Sequence, residues 1–457
     1  MTADYDVFII GAGQAGPPLA RALAKAGRRV GLAERKHMGG SCVNFGCTPT
    51  KAAFASARMA HLARRAGEYG VRVPSVEVDF TAVLERAQGI VAQSVAGLER
   101  QFSGTDSGEL IRGHARFEGR QGVVFRLVVG ERAITATQVV VDTGTRNLVP
   151  SIEGLEDIDF LDADHWLEHK LLPQRLLIVG GGYVGLEMAQ FYRRMGAEVI
   201  VAHAGPQIAE HEDADVAAAL QHMLEQEDIR FLLEHHAKHF STTAAGVRTT
   251  LEAGGRQQDI ETSHVFVAVG RKPNTDDLGF DTVGVKLSDK GIVEVDERLA
   301  TSTPGIWAVG DIRGGPMFTH TAWDDYRIVR SQLAGDRART TDRIVPYAMF
   351  TDPELGRVGM TEGQARKAGK KIRVGHFDLS GNGKAREIGE AEGFVKVIID
   401  DGSEQILGAA VLGVHGAELV HMYVDLMNAG ASYAVLRDAI HIHPTLAEAI
   451  QSAVADL

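Results

Sequence analysis

The chain has 457 residues, 24% of them charged, and a formal net charge of −12 at pH 7. That acidity argues against a nucleic acid or an anionic membrane as partner. No apolar run reaches the ~18–20 residues of a membrane-crossing helix, and Met1-Thr2-Ala3-Asp4 carries neither a basic segment nor a cleavage site, so a soluble cytoplasmic α/β protein of about two to four domains is expected.

The first strand is expected at residues 5–10, where the wholly apolar Val7-Phe8-Ile9-Ile10 suits burial in a parallel sheet. Gly11-Ala12-Gly13-Gln14-Ala15-Gly16 follows, then a helix over 19–25 with Pro17 and Pro18 in its first turn, where a missing N–H costs little. A strand over 29–33 ends on Glu34, 23 residues past Gly11. This is a dinucleotide-binding fingerprint. Gly11, Gly13 and Gly16 let the backbone approach a diphosphate at a helix N-terminus, and Glu34 takes the ribose hydroxyls.

The only two cysteines stand five positions apart in Gly39-Gly40-Ser41-Cys42-Val43-Asn44-Phe45-Gly46-Cys47-Thr48-Pro49-Thr50-Lys51. Gly46 gives the backbone latitude to bring their Cα atoms within the ~4.4–6.8 Å a disulfide needs. Half of a metal site is a competing reading, but zinc usually wants four ligands and no second cysteine pair exists. A chance pair of buried thiols is another. In a cytosolic chain so sparing of cysteine, a redox role is preferred.

Helices are expected over 52–65 and most of 71–100, a β-ribbon over 110–129, and a buried strand at Val139-Val140-Val141 that turns at Thr143-Gly144 against the first nucleotide. The opening then repeats: a strand over 175–179, Gly180-Gly181-Gly182-Tyr183-Val184-Gly185, a helix over 186–195 and a strand over 198–202. This second fingerprint ends on His203, 23 residues past Gly180. An acid there would favour NAD and a nearby arginine NADP. Neither is present, so a nicotinamide nucleotide is expected with its form left open. Arg193 and Arg194 are read as solvated or dipole-capping residues at a helix C-terminus. A strand over 265–269 runs into Gly270-Arg271, and Ile306 to Val309 delivers Gly310-Asp311. Beyond Pro346, strands over 394–400 and 406–412 and helices over 417–429 and 433–439 suggest an α+β module, closed by His441-Ile442-His443-Pro444-Thr445-Leu446-Ala447-Glu448 and a last helix.

Two dinucleotide folds, a C-x4-C after the first and a terminal His443-Pro-Thr-Leu-x-Glu448 together resemble the flavin-dependent pyridine nucleotide–disulfide oxidoreductases, over essentially the whole chain. The resemblance implies an α/β fold of two Rossmann-like domains plus a C-terminal α+β dimerisation domain. FAD binding would occupy 1–150 with the redox disulfide Cys42–Cys47, NAD(P)H 151–272, a central segment 273–340 would complete the FAD site, and 341–457 would form the dimer interface. It places FAD on Gly11, Gly13, Gly16 and Glu34, with Gly40, Ser41, Thr143, Gly144, Gly310 and Asp311 around it, and NADH or NADPH on Gly180, Gly182, Gly185, His203, Gly270 and Arg271. Lys51 would pair with Glu187 beside the flavin, and Tyr183 would cover the nicotinamide pocket. Cys47 would be the charge-transfer thiolate and Cys42 the thiol that exchanges with substrate. His443, oriented by Glu448, would be the acid–base group of a homodimer, reaching the other subunit's thiols. His441 is read as structural, and no metal site is expected.

The leading function is an NAD(P)H-dependent reductase of a small disulfide, or a dihydrolipoamide-like dehydrogenase. A metal-ion reductase of the mercuric reductase branch, acting on Hg(II) or Cu(II), is the alternative. Against it, residues 449–457 lack the further cysteine pair of the mercuric enzyme. A non-catalytic redox sensor is disfavoured by Lys51, Glu187, His443 and Glu448, since a sensor needs no general base. A glutathione-type substrate is disfavoured for want of a basic cluster near the thiols, Arg58 excepted.

Overall fold

The computed structural model describes residues 3–103 and 108–457. The apolar run is strand β1 (Tyr5–Ile10), buried except at Asp6. Helix α1 (Gly16–Lys25) and strand β2 (Val30–Glu34), parallel to β1, follow. Gly11 between them has φ +102°, and a Cβ there would stand 2.2 Å from the carbonyl oxygen of Asp142, so the turn requires glycine. α2 (Gly40–Asn44) and α3 (Cys47–Arg65) come next, the latter beginning at Cys47 rather than at 52. The helix expected over 71–100 starts only at α4 (Phe80–Ser103). Pro74 disfavours helix at Val73, and the Asp79 carboxylate caps α4 by accepting the Ala82 N–H at 2.9 Å.

The ribbon expected over 110–129 divides between β3 (Gly108–Arg112), parallel to β2, and the hairpin of β4 (Ala115–Gln121) and β5 (Val124–Val129). β6 (Arg132–Val141) lies parallel to β1, giving a sheet of order β3-β2-β1-β6-β5-β4. After β7 (Thr145–Asn147) and β8 (Leu161–Asp162), the units β9 (Arg175–Val179), α5 (Tyr183–Met195) and β10 (Glu198–Ala202) repeat the opening. Val179 pairs with Ala202 as Ile10 pairs with Ala33. α6 (Ala214–Gln226), β11 (Ile229–Leu232), the antiparallel set β12 (His236–Thr243), β13 (Gly246–Ala253) and β14 (Arg256–Thr262), and β15 (His264–Val267) follow. The second sheet has the order β11-β10-β9-β15-β8. β16 (Arg271–Pro273) pairs with β7, and β17 (Ile306–Ala308) returns to β6 of the first sheet ahead of α7 (Thr319–Leu333).

The last region holds β18 (Tyr347–Met349), β19 (Glu354–Gly359), α8 (Glu362–Lys367), β20 (Ile372–Asp378), α9 (Gly383–Glu387), β21 (Phe394–Asp400) and β22 (Ile406–Gly413), in an antiparallel sheet of order β18-β19-β22-β21-β20. The helix expected over 417–429 divides at Val420 into α10 (Gly416–Leu419) and α11 (His421–Asn428). α12 (Ala434–Asp438) and α13 (Ala447–Ser452) close the chain. No described helix is long and apolar enough to cross a membrane. This is the expected α/β class with an α+β C-terminal module.

A charge cluster locks these parts together. Arg194 on α5, its side chain 5% exposed, donates to both oxygens of Glu227 at 2.7 and 2.8 Å and to Asp352 at 2.6 Å. Arg58 on α3 pairs with the same Asp352. Arg194 is therefore not the solvated residue its place at a helix end suggested: tertiary packing brings two carboxylates to it. Its neighbour Arg193 does reach an exposed partner, Asp228, at 2.8 Å. Arg194→Met would leave two carboxylates partly buried without their shared cation, and the expected loss is about 3–5 kcal/mol in urea unfolding. A loss under ~1 kcal/mol would show that Arg58 alone can hold Asp352.

Candidate active site

Local sequence sets the dithiol geometry. The N–H groups of Phe45 and Gly46 both donate to Ser41 O, at 3.1 and 2.7 Å, ending α2. Trp166 Nε1 donates to Phe45 O at 2.9 Å and pins the kink. Cys42 therefore lies on α2, while Cys47 is the first residue of α3, where helix N–H groups favour an anion. Both cysteines stand as free thiols, five positions apart across the kink.

The two thiols are unequal. The hydrogen bond from Cys42, then Thr319 Oγ1 and the charge of Lys51, lower Cys47 to about 6 against the opposing effect of burial. Thr319 Oγ1 lies 3.2 Å from Cys47 Sγ. The same thiol–thiol bond, together with burial, pushes Cys42 well up. The surroundings thus favour the charge on Cys47 and the proton on Cys42. Thr319 was not singled out from the sequence. It belongs to a helix 272 residues away, and no local pattern marks it.

Lys51, one turn along α3, reaches Glu187 Oε2 at 2.8 Å. The Phe350 N–H donates to the other oxygen at 2.7 Å, and the Phe350 ring lies 4.5 Å from the ammonium. Tyr183 begins α5 one turn before Glu187, and its hydroxyl donates to Glu212. Glu212 also accepts from Tyr347 Oη at 3.0 Å and pairs with the fully buried Arg357 at 3.1 Å. Burial, then the charge of Glu212, raises the Tyr183 phenol.

At the first glycine turn, Glu34 accepts the N–H of Ala12 at 2.9 Å and of Lys36 at 2.7 Å. A Cβ on Gly16 would stand 2.4 Å from Gly11 O, and one on Gly40 would stand 3.0 Å from Gly13 Cα, so α2 packs directly on the turn and brings Ser41 beside it. Among the described residues, the N–H groups of Gly13 and Gln14 have no protein acceptor. They point this turn toward an external anion, and a dinucleotide diphosphate such as that of FAD fits. Asp142, beyond the residues predicted here, accepts from Gly16 N at 2.7 Å and Ala15 N at 3.2 Å. Burial nevertheless holds its carboxyl well above the usual range. Burial also raises Asp311, which lies 3.3 Å from Thr145 Oγ1. Gly310 N donates to the buried Asp325 at 2.8 Å.

The second turn matches. Gly180 has φ +118°, and a Cβ on Gly185 would meet Gly180 O at 2.0 Å. The N–H groups of Gly182 and Tyr183 have no acceptor among the described residues, and His203 Nδ1 accepts from Gly181 N at 3.2 Å. A pyridine nucleotide fits here as FAD fits the first turn. Several other expected cofactor contacts are committed within the chain. Arg271 Nε donates to Thr145 Oγ1 at 2.7 Å, Gly270 O accepts from Leu148 N at 3.0 Å, and Thr143 and Gly144 bond to Asn274.

His443 Nδ1 lies 3.0 Å from Glu448 Oε1, while Glu448 Oε2 accepts from Thr445 N at 2.8 Å. Thr445, then His443, holds Glu448 below the usual carboxylate range. His443 is 78% exposed and, among the described residues, makes no hydrogen bond to either thiol of its own chain. His441 bonds Gln451 at 3.1 Å, in keeping with a structural role. Among the described residues no group of three or more His, Cys, Asp or Glu side chains is arranged to hold a metal.

In the reduced protein, thiolate ultraviolet absorbance should appear above about pH 6 and vanish below it, as expected of a lowered thiol. Thr319→Val should move that transition up by about one unit. An unmoved transition would exclude the Thr319 hydrogen bond as a cause.

Residues 5–325 match the model of the pyridine nucleotide-disulphide oxidoreductase family, and residues 345–454 match its dimerisation domain. The dihydrolipoyl dehydrogenase of Cupriavidus necator is 32% identical, over 99% of this chain and 98% of that protein. That of Thermus scotoductus is 34% identical, over 99% and 97%. The crystallised HOCl-induced flavoprotein disulfide reductase RclA from Escherichia coli superimposes with a TM-score of 0.87 at 33% identity, over 99% of each chain. Its Cu(II) complex superimposes with a TM-score of 0.89 at 32% identity, over 100% of this chain and 99% of that one. The chain belongs to the pyridine nucleotide-disulfide oxidoreductase family and is an FAD-dependent NAD(P)H disulfide oxidoreductase.

Proposed function

We propose that the enzyme exchanges two electrons between a pyridine nucleotide and a small disulfide, or the corresponding dithiol, at Cys42 and Cys47. The observation that carries this is the placement of the two thiols across the α2–α3 kink, with Cys47 opening α3, Thr319 Oγ1 3.2 Å from its sulfur and Lys51 one turn on. When bound, FAD supplies the two-electron centre that joins the nicotinamide to the dithiol. Residues 1–150 and 273–340 would hold it, 151–272 the nucleotide, and 341–457 the dimer interface. The acidic composition and two lone thiols suit the reducing cytoplasm.

In the disulfide-reducing direction, Cys42 must lose the proton that its neighbour helps retain. His443 takes it, and the Cys42 thiolate attacks one substrate sulfur. The substrate S–S bond breaks as the mixed disulfide forms, and His443 returns the proton to the departing sulfur. The Cys47 thiolate then attacks Cys42 Sγ, closing the Cys42–Cys47 bond and releasing the second product thiolate, which takes a proton from solvent. The reduced nucleotide later restores both thiols. Because the His443–Glu448 dyad stands on the surface, each protomer's dyad would serve the thiols of the other in a homodimer. Lys51 and Glu187 set the face of α3 and α5 toward the cofactor, and Tyr183 covers the nicotinamide side.

A second reading, reduction of Cu(II), is favoured by RclA having been solved as a Cu(II) complex and by the exposure of Cys47, whose thiolate is a soft ligand. Anaerobic nucleotide oxidation with lipoamide and with Cu(II) as acceptors separates the two. Lipoamide turnover is expected, abolished in Cys42→Ser and slowed about 10²–10⁴-fold in His443→Gln. Turnover with Cu(II) alone, unaffected by His443→Gln, would replace the disulfide reading with the metal one.

A further inference from the structure

The second glycine turn repeats the glycine spacing of the first but changes the group that accepts the turn's second N–H. In the first fold the Glu34 carboxylate accepts the N–H of Ala12 at 2.9 Å; in the second, His203 Nδ1 accepts the N–H of Gly181 at 3.2 Å. The strand registers leading to the two residues match, since Ile10 pairs with Ala33 and Val179 with Ala202. Using Nδ1 as acceptor places the proton of a neutral imidazole on Nε2. That nitrogen is buried without an aligned hydrogen-bond partner, and Glu210 Oε1 stands 3.3 Å from it.

The loop after β10 brings Glu210 there by specific contacts. Ala209, at φ +47°, donates its N–H to Gly181 O at 2.9 Å. Gly205 lies so close under the carboxylate that a Cβ would stand 1.7 Å from Glu210 Oε1. Glu234, whose N–H donates to Gly205 O at 2.9 Å, joins the same loop cluster. Residues 203–213 contain no lysine or arginine. The buried imidazole thus backs a half-exposed carboxylate acceptor, Glu210, just past the strand end, where the first fold presents Glu34.

We propose that Glu210, held beside His203, is the specificity-determining residue for the nucleotide: it accepts the adenosine ribose 2′-hydroxyl and excludes a 2′-phosphate, so the enzyme selects NADH over NADPH. The proposal rests on the reading that this turn binds a pyridine nucleotide. A carboxylate opposed to a phosphate incurs a like-charge cost that a diol does not.

The test uses the FAD-loaded enzyme and two ligands without nicotinamide, ADP-ribose and 2′-phospho-ADP-ribose, measured by isothermal titration calorimetry, so no turnover enters. ADP-ribose is expected to bind at least about tenfold more tightly. Glu210→Gln should bring the two affinities within about threefold, chiefly by strengthening the phosphorylated ligand, while an unchanged melting temperature and FAD absorbance spectrum show that the fold is intact. His203→Phe, which cannot orient Glu210, should narrow the ratio in the same direction. Equal binding by the wild type, or a ratio unchanged in Glu210→Gln, would overturn the proposal. Binding of neither ligand would remove the nucleotide site itself, and the proposal with it, without touching the dithiol chemistry.

Discussion

The ion pair between Lys51 and Glu187 is the contact on which the rest of the site depends. Lys51 stands one turn past the Cys47 thiolate, and Glu187 one turn past the second glycine loop. Phe350, from the edge of the C-terminal sheet, closes the same contact with an N–H to Glu187 and a ring against the ammonium. One carboxylate therefore indexes the dithiol helix, the nucleotide helix and the C-terminal module against each other. Three sequence-distant parts meet at a single partly buried charge, and a small shift in any one would displace the others.

Around this joint the chain maintains two kinds of anion stabilisation. The glycine turns leave backbone N–H groups unused at helix N-termini, where they attract a diphosphate in a largely sequence-independent way. The dithiol uses a more selective arrangement, in which a neighbouring thiol, a threonine hydroxyl and a lysine act on one sulfur. The first kind holds cofactors. The second acts unequally on two chemically identical side chains, lowering Cys47 and raising Cys42.

The two nucleotide folds also show how a duplicated scaffold diverges. Their strand registers and the spacing of Gly11, Gly13 and Gly16 and of Gly180, Gly182 and Gly185 coincide, so both turns bring backbone N–H groups to a helix N-terminus. At the end of the second strand the side chains differ, Glu34 against His203, and Glu210 of the following loop stands 3.3 Å from the imidazole.

Much of this was legible in the residues alone. The spacing of glycines after apolar runs specifies a turn that only glycine can make, so both dinucleotide folds, the C-x4-C pair and the His443–Glu448 register can be read without coordinates. Family motifs likewise place Lys51 opposite Glu187. Arg194, a solvated helix-end residue by sequence, is instead the buried centre of a charge cluster, because Glu227 and Asp352 arrive from other elements. Thr319 and Asp142 carry no local signature, since each acts on a residue brought to it by a distant part of the chain, and Glu210 meets His203 only through the fold of the loop between them. Sequence by itself determined the turns, the paired chemistry and the order of modules, which depend on backbone limits and short spacings. Only the tertiary structure decided that Thr319 reaches the Cys47 sulfur and that Glu227 and Asp352 meet at Arg194, because those contacts join residues far apart in the chain.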